Sequence, residues 1–132
     1  VLWVESAKGP EVRERIRDRH VGVSISYAKT EAWLALGWEA QIGVDAVAIE
    51  EVPDWEEVAS VYLEQAAQER LRKSTQPALD FAREWAGFEA RLKLAGQPLV
   101  EGLAPPPALL YGATFGAVYV AVALGSGPTL RR

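Results

Sequence analysis

The chain has 132 residues, 14 of them lysine or arginine against 18 aspartates and glutamates, and it contains no cysteine. That length suits one domain around a single core, the net charge of −4 argues against nucleic acid as a partner, and disulfides and thiolate metal sites are excluded. No apolar run reaches membrane-spanning length, the longest being Val118–Leu124, and Glu5 and Lys8 interrupt the opening apolar stretch, so neither a membrane nor a signal peptide is expected and the expected compartment is the cytoplasm.

In chain order, Val1–Val4 reads as a short strand, and Gly9-Pro10 as a turn opening a helix over Glu11–Arg19 with Val12 and Ile16 as its thin apolar stripe. In such a helix Arg13 and Arg17 share one face and Arg15 and Arg19 another. They form either an electropositive rim or a solvated surface balanced by Glu11, Glu14 and Asp18. His20, the only histidine, is expected at the surface. Val21–Tyr27 alternates apolar and small polar residues, as a half-buried strand does. Ala32–Trp38 and Gln41–Ile49 read as two further strands joined tightly through Glu39 and Ala40.

Asp45 is the anomaly of that last strand, lying among Ile42, Gly43, Val44, Ala46, Val47, Ala48 and Ile49. An ionised carboxylate buried there costs several kcal/mol unless it is paired. A hard divalent cation shared with a second carboxylate is one solution; capping a turn or accepting backbone hydrogen bonds is another.

Downstream, Pro53–Glu57 has the makings of a helix start, with Asp54 as N-cap and acids in the first turn. The helix, broken once, is expected to run to about Arg72. Ser74–Pro77 opens a long helix whose stripe is Phe81, Trp85, Phe88, Leu92 and Ala95, with Gly96 ending it. On it, Glu89 and Lys93 have the spacing and order of an ordinary surface ion pair. Leu99–Leu110 carries three consecutive prolines and reads as a loop, Phe115–Leu124 as a strand and residues 125–132 as a tail. Gly112–Gly116 lacks the Lys-Ser/Thr of a phosphate loop. The expected class is α+β, an antiparallel-rich sheet packed on a long helix, in a single domain spanning 1–132.

Several of these segments together resemble the 4′-phosphopantetheinyl transferases, the holo-acyl-carrier-protein synthase superfamily. Gly43-Val44-Asp45 resembles that family's (Ile/Val)-Gly-(Ile/Val)-Asp strand. Trp85, Glu89, Ala90, Lys93 and Gly96 are similar to its Trp-x-x-Lys-Glu-(Ala/Ser)-x-x-x-Lys helix and the glycine after it. Ser24-Ile25-Ser26-Tyr27-Ala28 stands where the family has Ser-(Leu/Ile)-Ser-His-Ser, Glu69-Arg70-Leu71 resembles a shortened Glu-Arg-x-x-Leu, and Ala117–Ala123 looks like the closing strand. The resemblance covers about residues 21–124, with 1–20 as a leading strand and basic helix, and it is to the second half of the larger class.

The resemblance implies transfer of the phosphopantetheine arm of coenzyme A to a serine of an apo carrier protein, with adenosine 3′,5′-bisphosphate leaving. It implies Mg²⁺ held by Asp45 and Glu89, Glu89 or a metal-bound water as base, and Lys93, Ser26 and Tyr27 toward the coenzyme, whose phosphates an electropositive rim of Arg13 and Arg17 would attract. Since the larger class has two such halves and the shorter class builds its site between subunits, a homo-oligomer or a separate partner is implied. Three positions depart from the pattern: Phe88 replaces the lysine before the catalytic glutamate, Tyr27 the histidine, and Val47 a third carboxylate. They leave open a second role, that of a catalytically impaired relative binding coenzyme A or a carrier protein as an assembly subunit.

Overall fold

The computed structural model describes residues 2–6, 9–14, 19–38 and 40–125, and the side chains of 22–38 and 40–125. Strands β1 (Leu2–Ser6), β2 (Gly9–Glu14), β3 (Arg19–Ala28) and β4 (Glu31–Trp38) form an antiparallel meander, sheet A. β5 (Ile42–Ala48) leaves that sheet and joins a second one, sheet B, of order β5-β7-β6, with β6 spanning Leu109–Phe115 and β7 Val118–Leu124. Between β5 and β6 run α1 (Trp55–Tyr62), α2 (Gln65–Arg72) and α3 (Pro77–Ala95). The class is α+β, and every strand pair among the described residues is antiparallel.

The layers follow from residue size. One face of sheet B sets Val44, Ala46, Val118 and Val120 against Ala28, Trp33 and Ala35 of sheet A. The opposite face is lined by Ala121 and Ala123, on which Ala86 and Ala90 of α3 rest, all of them at most 3 % exposed. Small residues on both sides let α3 ride close to the sheet. The aromatic stripe of α3 therefore points the other way. Phe81, Phe88 and Leu92 are buried against Ala59, Leu63, Ala67 and Leu71 of the α1–α2 region, with Trp85 and Tyr62 packed beside them. Trp85 stacks between Phe81 and Phe88 at centroid distances of 5.9 and 5.6 Å. Pro77 occupies the first turn of α3, and Gly96, with φ of 67°, closes it in the left-handed conformation.

Three expectations need correction. The helix over Glu11–Arg19 does not form: Gly9–Glu14 is β2 and Arg19 begins β3, with 15–18 outside the described residues. A stripe of only Val12 and Ile16 gives a helix little to bury, whereas pairing with both β1 and β3 satisfies the β2 backbone. The loop expected over Leu99–Leu110 ends early, since Leu109 and Leu110 open β6, the outer strand of sheet B; that strand takes Phe115, so the strand expected from Phe115 starts only at Val118. The prolines before β6 and Gly112 inside it disguise that strand, and Gly112 is there because the Tyr119 hydroxyl occupies the space its Cβ would take. Finally, Ala95, assigned to the buried stripe, is exposed.

Candidate functional site

The site lies where β5, β3 and α3 meet. A Cβ on Gly43 would collide with the carbonyl oxygen of Ala90 and stand 2.7 Å from the amide of Leu94. Glycine is thus required for the helix backbone to touch the strand. This contact puts Asp45, two residues further on the same strand face, beneath the turn of α3 that carries Glu89 and Lys93.

β5 is hydrogen-bonded to β7 on one side only; along its other edge the backbone is served by side chains. The Ser24 hydroxyl accepts the Val44 N–H at 2.9 Å, and the Ser26 hydroxyl accepts the Ala46 N–H at 3.0 Å. Lys93 Nζ donates to the Val44 carbonyl at 2.9 Å and to the Ile25 carbonyl at 3.1 Å. The same ammonium lies 3.3 Å from Asp45 Oδ1, which also accepts the Ser26 hydroxyl at 3.1 Å. All three donors of the ammonium therefore have acceptors inside the protein. Lys93 and the two serines stitch the sheets together in place of a ladder.

Asp45 is 7 % exposed, and burial raises its pKa above the ordinary carboxylate value; the Lys93 charge and the hydrogen bonds from Lys93, Ser26 and Ala46 offset part of that rise. Glu89, half-buried, is raised in the same sense, first by burial and then by the Asp45 charge, with the Trp85 indole and Lys93 pulling it back. Both carboxyl groups are held where ionisation is disfavoured, and Glu89 is near enough to feel the Asp45 charge. Lys93's close ion pair is with Asp45, so the simple Glu89–Lys93 surface pair is not the arrangement adopted.

Of the expected site residues, Asp45, Glu89, Lys93 and Ser26 come together. Tyr27 does not: it follows Ser26 on β3, faces the opposite side of sheet A and is 74 % exposed. Arg13 lies on β2 opposite His20 in the ladder, its side chain outside the described residues, as is Arg17 altogether. Phe88 is 3 % exposed in the helical core, turned away from Asp45. Ser24 is the participant that the motif reading passed over. Its signal was the serine pair at two-residue spacing in an otherwise apolar strand, which places both hydroxyls on one face.

The donor set fits a hard divalent cation. Asp45 Oδ1 is committed to Lys93 and Ser26, which leaves Oδ2 and the Glu89 carboxylate as oxygen donors. Among the described residues no group of three or more His, Cys, Asp or Glu converges, so the protein would supply two carboxylates and leave the remaining positions to water and substrate oxygens. Mg²⁺ is commonly bound in that way. Among the same residues no helix is long and apolar enough to cross a membrane. Compared with known proteins, the chain matches no family model and no curated protein.

Proposed function

We propose that this chain is a phosphopantetheinyl transferase-like protein that uses a divalent cation to move the 4′-phosphopantetheine arm of coenzyme A to a serine of an apo carrier protein. The observation that carries the reading is the convergence of Asp45 and Glu89. They lie 44 residues apart in the two segments that resemble the family, and they come together where β5 meets α3, the Asp45 charge adding to the burial that raises the Glu89 pKa. A bound Mg²⁺ would neutralise phosphate oxygens at that spot. Glu89, its basicity raised by burial, would accept the proton of the acceptor serine. Lys93 and Ser26 hold Asp45 in place.

One observation favours the second reading, a non-catalytic subunit that binds coenzyme A or a carrier protein. Lys93 has its donors used internally and Phe88 is in the core, so two positions that the family gives to phosphate contacts serve the fold here. Calorimetric titration of the folded chain with coenzyme A, in Mg²⁺ and then in excess chelator, separates the cases. The transferase reading expects binding that the chelator removes. Binding unaffected by the chelator assigns the non-catalytic role as a coenzyme A binder, and no binding in either condition overturns the transferase reading in favour of the carrier-protein subunit.

A further inference from the structure

β6 is the outer strand of sheet B, and all seven of its residues, Leu109–Phe115, are exposed. One edge bonds β7; the other is paired by no strand among the described residues. The strand carries no charge and no proline, so nothing in it shields that row of backbone groups from another strand.

Beside β6 lies a cavity of about 300 Å³. Its α3 wall is the stripe of Glu84, Gly87 and Arg91, half a turn round the helix from Glu89 and Lys93. Gly112 and Ala121 of sheet B floor it, and Ala67 of α2 lines its far side. Glycine inside a helix costs stability against alanine. Yet a Cβ on Gly87 would meet, beyond its own stretch of helix, only Leu110 Cδ1 at 3.3 Å, the tip of a flexible and exposed side chain. The chain's own packing does not demand glycine there; what the glycine does is keep the cavity open. The rim is electropositive at one end. Arg70 grips Glu84 through two hydrogen bonds of 2.6 and 2.9 Å, and Arg83 pairs with Asp80. In each pair the guanidinium is the outer member: the Arg70 side chain is 62 % exposed against 17 % for Glu84, and Arg83 48 % against 24 % for Asp80. Two turns of α3 further on, Arg91 and Glu64 satisfy each other.

We propose that the free edge of β6 takes up an extended segment of a partner protein as a fourth strand of sheet B, an apolar segment with an acidic residue at the Arg70 and Arg83 end. An added strand lies about 4.8 Å beyond β6, with side chains alternating between its two faces. Leu110 and Gly112 face α3 by register with Ala123 and Ala121, so the added side chains on that face enter the cavity. There an apolar one fills the space at Gly87, and an acidic one meets the two outward guanidinium groups. On the other face the added side chains land beside Leu109 and Tyr111, large exposed residues that sheet A does not cover. Backbone bonds along the edge supply affinity, and the cavity with its arginines supplies selectivity. The inference does not rest on the transfer reading.

The probe is a fluorescein-labelled synthetic peptide of about nine residues, long enough to span β6. It alternates threonine and valine around a central leucine and carries glutamates at one end. Fluorescence anisotropy with the full chain is expected to show saturable binding that weakens at least about 10-fold when lysines replace the glutamates. Proline in place of the valines, which removes donors from the added ladder, is expected to abolish it. Arg83→Glu should reverse the preference between acidic and basic peptides, and Gly87→Leu should weaken both by filling the cavity, each variant keeping the parent's circular dichroism spectrum. In hydrogen exchange, the β6 amides that do not bond β7 should exchange freely in the chain alone and slow when the acidic peptide is added. Equal binding of the acidic and basic peptides, or none at about 1 mM, overturns the inference. So does slow exchange of those amides in the chain alone, which would mean that the chain or a second copy of it already covers the edge.

Discussion

Lys93 Nζ stands 3.3 Å from Asp45 Oδ1 and spends its other donors on the carbonyls of Ile25 and Val44. One side chain from α3 thereby neutralises a buried carboxylate and fastens the unpaired edge of β5 to β3. Removing it leaves Asp45 buried beside an uncompensated edge. Breaking a fully buried pair costs about 3–5 kcal/mol. Because the Lys93 side chain is 35 % exposed, solvent relieves part of that, and about 2–3 kcal/mol is expected for Lys93→Met. Chemical denaturation at neutral pH measures it. If Lys93 served only as a phosphate contact, the variant would lose coenzyme affinity and keep its unfolding midpoint.

The two raised carboxyl groups give a pH dependence of definite sign. Each binds its proton more tightly folded than unfolded, so the native state carries more protons as pH rises past the ordinary values of 3.8 for Asp and 4.5 for Glu. These two groups' contribution to stability therefore falls as pH climbs through that range to their raised values, and stays lost above it. Glu89→Gln removes one of the two raised titrations, together with the Asp45 repulsion that helps to raise it. Its melting temperature, measured between pH 4 and 7, should decline less than the parent's and exceed it at neutral pH. Added Mg²⁺ should raise the parent's melting temperature at pH 7 and have little effect on the variant.

Much of this arrangement was legible in the sequence, because the physics that selects each residue is local. The Phe81–Trp85–Phe88–Leu92 spacing dictates one helix face, Gly96 ends the helix, and an aspartate in an apolar strand demands a partner. The partner itself was not legible. Spacing on an isolated helix offers Glu89 to Lys93, but the Gly43–Ala90 contact lowers α3 onto β5 and gives Lys93 nearer acceptors in Asp45 and two carbonyls. Similarly, nothing local to Gly9–Glu14 selects strand over helix; β1 and β3, on either side, do.

Phe88 tests the direction of the α3 stripe. It is 3 % exposed and stacks on Trp85, so Phe88→Lys would place an ammonium among Leu63, Leu71 and Leu92. Loss of the aromatic alone costs about 3–5 kcal/mol, and the buried charge adds to it. The expected outcome is a chain largely unfolded at 37 °C by circular dichroism. A variant with an unchanged melting temperature and tighter coenzyme A binding would mean that position 88 faces the site after all.

The serine pair supplies the most discriminating prediction. Ser24→Ala orphans the Val44 N–H, and Ser26→Ala leaves the Ala46 N–H with the Asp45 carboxylate alone while also removing a donor to Asp45. A buried amide left without a partner, or a lost hydrogen bond to a carboxylate, costs about 1–3 kcal/mol, so both variants should lose stability by that order. Their consequences for the site differ. Only Ser26 touches the carboxylate, so only Ser26→Ala should push the Asp45 pKa further up and weaken Mg²⁺ binding. Ser24→Ala should match the parent in a calorimetric Mg²⁺ titration once both are compared well below their melting temperatures. Equal loss of metal affinity in the two variants would mean that strand placement, rather than the Ser26–Asp45 hydrogen bond, sets the geometry of the carboxylate.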